Sequence, residues 1–291
     1  MARVEAMGAP TFDLQSHSTY SDAALPPRAV VAAAADAGVE MLALTDHDTV
    51  DGVDEALQAG AALGLRLVPA VELSAIDGDF EDLHILGYLV DHRAVALLGP
   101  LAAFQADRAA RAVRMAEALR DCGLQLDLPQ RATIGRPHLA QAAFDHPANR
   151  MRLQREKIVN ASQLLEAYLI PGAPAFRRRT TPTVAEAIEI VHESGGVAVW
   201  AHPFWNVDDP TAVIEHIERF ATLGIDGVEA FYPTHDAQQA SAIADRCAEL
   251  GLLTTGSADF HGPAHPLFNR FRAFELHGHQ PRLGPIADER Q

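Results

Sequence analysis

Short apolar runs alternate along the chain with alanine-rich stretches whose apolar positions recur at helical spacing. Thr11–Leu14 is a β-rich run, followed by Gln15-Ser16-His17 and a helical stretch from about Pro27 to Ala37. Met41–Leu44 comes next, with Thr45-Asp46-His47-Asp48 at its end and a helix near Val53–Leu63. Leu67–Val71 then runs into Glu72, and residues 84–90, His-Ile-Leu-Gly-Tyr-Leu-Val, form another strand pattern.

The pattern changes between residues 95 and 176. Leu101–Cys122 reads as one long helix, and shorter helical pieces follow up to Pro171-Gly172-Ala173-Pro174. With no buried strand pattern, this stretch is expected to be a helical insertion or cap. Strand–helix alternation then resumes: helix Val184–Glu193 stopped by Gly195-Gly196, strand Val197–Trp200 ending at Ala201-His202-Pro203, strand Val228–Phe231, and strand Leu252–Thr255 leading into Gly256-Ser257-Ala258-Asp259-Phe260-His261. The expected division is a main domain in two parts, 11–94 and 177–280, an insertion over 95–176, and loose termini at 1–10 and 281–291. Alternating βα units imply an α/β fold with a mostly parallel sheet, doubly wound or closed as a barrel. The polar groups fall after successive strands from both ends of the chain, which favours the barrel, where one face collects every such loop.

Composition narrows the function. Among 291 residues, acidic groups outnumber basic ones 39 to 23, for a formal charge of −16. That field repels duplex nucleic acid, so stable duplex binding is not expected, while a small anionic substrate can still be drawn to a local cationic cluster. The two cysteines, Cys122 and Cys247, lie in helical patterns and form no Cys-x-x-Cys pair, which argues against a disulfide framework and a thiolate metal site. No signal-peptide pattern opens the chain and no apolar run is long enough to span a bilayer, so a cytoplasmic protein without membrane contact is expected.

The polar groups at the strand ends carry the chemistry. His17, Asp22, Asp46, His47, Glu72, His84, His202, Asp259 and His261 offer imidazole and carboxylate, the donors that zinc, manganese and iron take when thiolates are absent. Such a cluster can hold two or three divalent ions, with Glu72 placed to bridge them, lower the pKa of bound water and neutralise a phosphoryl group. The bland reading of each histidine is a surface or satisfied core group. It is kept for His92, His146, His192, His216, His265, His277 and His279, and Asp48 and Asp51 are read as helix caps. It is weaker for His17, His47, His202 and His261, because four independent strand ends repeat the same residue type.

These motifs resemble the PHP (polymerase and histidinol phosphatase) domain. Asp13-Leu14-Gln15-Ser16-His17 with Ser21-Asp22 looks like its first motif. Thr45-Asp46-His47-Asp48, Val71-Glu72, His84, Ala201-His202-Pro203 and Ser257-Ala258-Asp259-Phe260-His261 look like the later ones, in order. The resemblance implies a distorted (β/α)7 barrel with a helical insertion and a trinuclear metal site. Residue 15, His17, Glu72 and Asp259 would hold one ion, Glu72, His84 and His202 a second, and Asp22, His47 and His261 the third. The family usually has histidine where Gln15 stands. A glutamine carbonyl ligates more weakly and favours an oxygen-loving ion, so Mn²⁺ is expected, with Zn²⁺ or Fe²⁺ as alternatives.

The insertion, the segment Ile134-Gly135-Arg136-Pro137-His138 and Tyr168-Leu169-Ile170-Pro171-Gly172 are similar to the TrpH-like (YciV-like) subgroup. That similarity implies a phosphatase removing the 3′-phosphate of 3′,5′-bisphosphonucleotides, with short RNA digested from its 5′ end in some members. Arg136 suits a bidentate clamp on phosphate oxygens and a catalytic role, His138, Arg177 and His235 are further candidate substrate contacts, and Glu229 is a further pocket residue. His202 or Asp259 would assist proton transfer. The alternatives are a histidinol-phosphate phosphatase and a catalytically weak nucleotide sensor. An amidohydrolase with a bridging lysine is disfavoured because Lys157, inside the insertion, is the only lysine.

Overall fold

The computed structural model describes residues 10–78, 80–128, 134–179 and 182–288. Seven strands form one sheet in chain order: β1 (Phe12–Asp13), β2 (Met41–Leu44), β3 (Arg66–Asp77), β4 (Phe80–Tyr88), β5 (Val197–Trp200), β6 (Gly227–Phe231) and β7 (Leu253–Gly256). Neighbours pair in parallel except for β4, which is antiparallel to both β3 and β5. Leu14 N donates to Gly256 O at 3.2 Å and Ser16 bridges Phe260, so the first and last strands meet and the sheet nearly closes into the expected barrel.

The distortion lies at β3 and β4. The sequence pattern predicts two separate short runs here, yet β3 and β4 form one long hairpin, paired from Ala70↔Tyr88 to Asp77↔Phe80. Gly78, at φ 58°, supplies the left-handed residue that the turn after Asp77 requires. Glu72 and His84 therefore lie inside strands, not just after their ends.

Helices α1 (Pro27–Asp36), α2 (Val53–Leu63), α7 (Val184–Glu193), α8 (Pro210–Thr222) and α9 (Ala237–Leu250) accompany the sheet. Their ends follow local chemistry. Thr183 and Glu186 make a reciprocal capping box on α7, Asp236 caps α9, and Gly251 ends α9 in the left-handed region at φ 75°. Val30, Val31 and Ala34 of α1 pack with Leu42, Leu44, Ala56 and Phe260 in one buried cluster. On β7, a Cβ at Gly256 would stand 2.7 Å from Phe231 Cβ, so only glycine admits this approach to β6.

Two compact units divide the chain: Met1–Leu101 with Pro182–Gln291, and Ala102–Thr181. The sheet belongs to the first. The second is helical, with α4 (Arg136–Asp145), α5 (Arg150–Glu156), α6 (Ala161–Tyr168) and most of α3 (Val95–Asp121). Its core joins Met115, Leu119, Leu124, Leu139, Leu164 and Leu169, and buried Asn149 ties it by donating to Ala143 O and Gln125 O. The long helix starts at Val95, six residues before its expected start, and takes Pro100 into its early turns.

Two expectations are corrected. The tail is not loose over residues 282–288: Ile286 is buried, and Arg66 donates to the carbonyls of Ile286, Ala287 and Asp288. Residues 1–9 and 289–291 of the expected loose termini lie outside the described residues. Asp48 and Asp51 do not cap α2, whose N-cap is Gly52; buried Asp48 instead accepts from Ser74 N at 2.9 Å. Among the described residues no helix is long and apolar enough to cross a membrane.

Candidate metal centre

Backbone ties between the strand-end loops bring the ligand-type residues together. His17 N donates to Phe260 O at 2.9 Å, and Thr45 N donates to Ser16 O at 2.8 Å, joining the loops after β1, β2 and β7. Asp46 accepts from Ser18 N, Ser18 Oγ and Ser21 Oγ, so it braces the loop carrying Asp22 and does not face the cluster as a donor atom. Asp48 N donates to Glu72 O, and His47 bridges Glu72, which sets the β2 loop against β3.

Glu72 is the hub. Its Oε1 lies 2.6 Å from His84 Nδ1 and 3.3 Å from His202 Nε2. Its Oε2 lies 3.1 Å from His17 Nε2 and 3.4 Å from His47 Nδ1. Asp259 Oδ1 approaches His17 Nε2 to 3.0 Å and His261 Nδ1 to 3.6 Å. Asp22 reaches the other side, 3.7 Å from His47 Nε2 and 3.5 Å from His261 Nε2. Eight of the nine expected metal ligands thus converge with donor atoms facing one another.

Among the described residues two sets have donor atoms all within 4.8 Å of one another: His17, Asp22, His47 and His261, and then His47, Glu72 and His84. The cluster fits divalent cations on a further ground. His17 Nδ1 and Nε2, His47 Nδ1, His202 Nδ1 and Asp259 Oδ1 are buried and have no aligned hydrogen-bond partner. Buried polar atoms are normally satisfied, so atoms left over at one point mark a place for a ligand they can hold.

Gln15 sits against Glu72. Its Nε2 donates to Glu72 Oε2 at 3.0 Å, and its Oε1 accepts from Ser257 Oγ at 3.4 Å. A carbonyl oxygen in the place of Nε2 would face a carboxylate oxygen with no proton between them. In this arrangement Gln15 serves Glu72 as a hydrogen-bond donor, with its carbonyl oxygen turned toward Ser257.

The charges are strongly coupled. Burial alone would drive the His17 proton off, but the Asp259 and Glu72 carboxylates outweigh it and hold His17 well above the ordinary imidazole range. Burial works against Glu72 as an anion, but His47, His84 and His17 hold it well below the usual carboxylate range. Burial pushes His47 down to about 4. His202 and Asp259 both have positive φ, 29° and 51°, a backbone strain retained at the cluster.

Two groups support the cluster from behind; sequence reasoning missed Tyr232 and named Glu229 only as a pocket residue. Tyr232 donates its hydroxyl to Asp259 Oδ2 at 2.7 Å, and Ser257 donates to Glu229 at 2.6 Å while Glu229 accepts from His202 N at 2.9 Å. Tyr232 is adjacent to the apolar strand Gly227–Phe231 and reads there as core. His235, expected at the substrate, is buried: its Nδ1 lies 3.0 Å from Ala230 O, its ring packs on Phe204 and Tyr232, and burial pushes it down to about 4. In the helical unit, Arg136 opens α4 with its guanidinium 6.0 Å from the Phe176 ring centre. His138 Nδ1 accepts from Gly135 N at 3.0 Å, and Arg177 donates to Phe176 O at 2.7 Å.

Known proteins match this architecture. The profile of the PHP domain matches residues 13–152. A 5′-3′ exoribonuclease of Haemophilus influenzae is 31% identical over 87% of this chain and 90% of its own. A phosphoribosyl 1,2-cyclic phosphate 1,2-diphosphodiesterase of Eggerthella lenta is 32% identical over 86% and 94%. A 3′,5′-nucleoside bisphosphate phosphatase of Chromobacterium violaceum is 30% identical over 86% and 87%. Among solved structures, a sulfate-bound protein of Chromobacterium violaceum described as an amidohydrolase superposes with a TM-score of 0.76 at 28% identity, over 95% of this chain and 93% of that one. A protein of Bifidobacterium adolescentis described as a metal-dependent phosphoesterase gives 0.73 at 26% identity, over 89% and 91%. With motif order, barrel and relatives in agreement, the chain belongs to the PHP domain family and is a metal-dependent phosphoesterase.

Proposed function

We propose that the chain hydrolyses phosphate monoesters of small nucleotides, above all the 3′-phosphate of 3′,5′-bisphosphonucleotides. The observation that carries the reading is the contact of one buried carboxylate, Glu72, with four imidazoles, those of His17, His47, His84 and His202. The named activity of the Chromobacterium violaceum relative supports the substrate class. Trimming of short RNA from its 5′ end is the second reading, favoured by the name of the Haemophilus influenzae relative.

In this reading His17, Asp22, His47 and His261 would hold one cation, and Glu72, His84 and His202 would hold a second. The carboxylates suit Mn²⁺ and the imidazoles Zn²⁺ or Fe²⁺, and Mn²⁺ is the ion chosen for the test. Divalent cations, when bound, supply Lewis-acid charge and an activated water. The protein's own groups do the rest. For proton transfer the candidates are His202, with its backbone anchored on Glu229, and Asp259, fixed by the Tyr232 hydroxyl and kept an anion by His261 and His17. Arg136 supplies a planar guanidinium for phosphate oxygens, a role supported by its Arg-Pro-His setting. The test is a panel of adenosine 3′,5′-bisphosphate, histidinol phosphate and a short 5′-phosphorylated RNA, assayed with Mn²⁺ alongside elemental analysis. Release of the 3′-phosphate from the bisphosphate supports the reading, and turnover of histidinol phosphate alone would overturn it.

A further inference from the structure

Next to the centre, the sheet-bearing unit carries a run of aromatic rings that the phosphate chemistry leaves unused. Trp205 closes the 3-10 turn Pro203–Trp205, with its N–H donating to His202 O at 2.9 Å. The residue is 49% exposed, while Phe268 and Tyr232, against which its ring packs at 5.6 and 6.5 Å, are buried. The Trp205 ring meets the His202 ring edge-on at 6.5 Å. On the other side His265 stacks on Phe268 at 5.0 Å with 14° between the planes, and lies 5.2 Å from the His261 ring. The run thus begins and ends on imidazoles of the cation cluster.

Indole is large and apolar, and a half-exposed ring clamped against buried rings has already lost its freedom while keeping a face for a partner. The platform is also neutral, in a chain of formal charge −16. A polyanionic substrate gains little from such a surface by charge, but a flat π-system gains by stacking regardless of charge. His202 Nε2 is 3.3 Å from Glu72 Oε1, so a group stacked on Trp205 stands one ring away from the cluster that takes the phosphate.

We propose that Trp205, backed by Phe268 and continued by His265, is the platform on which the aromatic base of the substrate stacks while its phosphate reaches the cluster. The proposal rests on the nucleotide reading and adds the element that selects a base-bearing phosphoester over a base-free one.

The test compares adenosine 3′,5′-bisphosphate with 1,2-dideoxyribose 3,5-bisphosphate, which has the same two phosphates and no base, in the wild type, Trp205→Ala and Trp205→Phe. Trp205→Ala is expected to raise KM for the nucleotide about tenfold and to leave KM for the base-free compound within about twofold, with Trp205→Phe restoring most of the difference. Adenosine 5′-monophosphate is expected to quench the indole emission saturably in the wild type and not in Trp205→Phe. An equal change for both bisphosphates, or no change for either, overturns the platform while the phosphatase reading stands. Saturable quenching through Trp205 without turnover of either bisphosphate would support the platform and overturn the phosphatase reading.

Discussion

The Tyr232 hydroxyl donates to Asp259 Oδ2 at 2.7 Å, while Asp259 Oδ1 stays 3.0 Å from His17 Nε2. One carboxylate oxygen is thus held from outside the cluster so that the other points into it. Groups that orient a metal-binding side chain commonly matter about ten- to a hundredfold. Tyr232→Phe should lower kcat/KM by about tenfold or more with the fold intact, as read by circular dichroism and steady-state kinetics. A Tyr232→Phe enzyme with wild-type kinetics would show that Asp259 needs no such support.

Glu72 touches donors of both cation sets, so its loss should act on both. Glu72→Ala is expected to reduce turnover at least about a thousandfold and to strip bound metal, because the imidazoles are left without their shared anion. His47→Ala and Asp259→Ala should lose turnover and metal in the same way. Elemental analysis after dialysis checks the metal half; full metal retention by Glu72→Ala would mean that its carboxylate is no ligand.

Gln15 is the place where this centre differs from the usual His-x-His pattern, and the structure turns its amide nitrogen toward Glu72. Gln15→His replaces that donor with an imidazole that can ligate. The variant should retain more Mn²⁺ per chain than the wild type after identical dialysis. Unchanged metal content and activity would show that position 15 does not limit the centre.

Most of the site was legible because each motif is short and local. His17, His47, His202, Asp259 and His261 follow strand patterns directly, and the strands expected at Met41–Leu44 and Val197–Trp200 form with those bounds. Glu72 and His84 were named as ligands, but not as members of one hairpin, since two apolar runs give no register until their pairing is seen. Tyr232 and Trp205 were not legible: an aromatic residue within or beside an apolar run reads as core, and only the fold shows which end of it meets the cluster. Asp46 and Asp48 have ligand chemistry, but local hydroxyl and amide donors claim them first.

Protons and cations compete at His17. Without metal, the Asp259 and Glu72 carboxylates raise His17 above its ordinary value, so the stability it contributes is fully present below about pH 6.5 and is lost as pH rises through the raised folded value. Glu72 is depressed, so its contribution is present above about pH 4.5 and is lost as pH falls. Cation binding displaces the His17 proton and therefore tightens as pH rises. In chelator the Tm should fall as pH rises above the ordinary imidazole value of 6.5, and the Tm gain from added Mn²⁺ should grow over the same range. A metal-free Tm that rises with pH across that window would contradict the proton's place on His17.

The most direct measurement is phosphate release from adenosine 3′,5′-bisphosphate by enzyme stripped of metal and then titrated with Mn²⁺, with bound metal counted at each step. The account predicts no release from the stripped enzyme, activity that rises with bound metal, adenosine 5′-monophosphate as product, and neither metal nor activity in Glu72→Ala. Equal phosphate release by the stripped and loaded enzyme, or by Glu72→Ala, would contradict it.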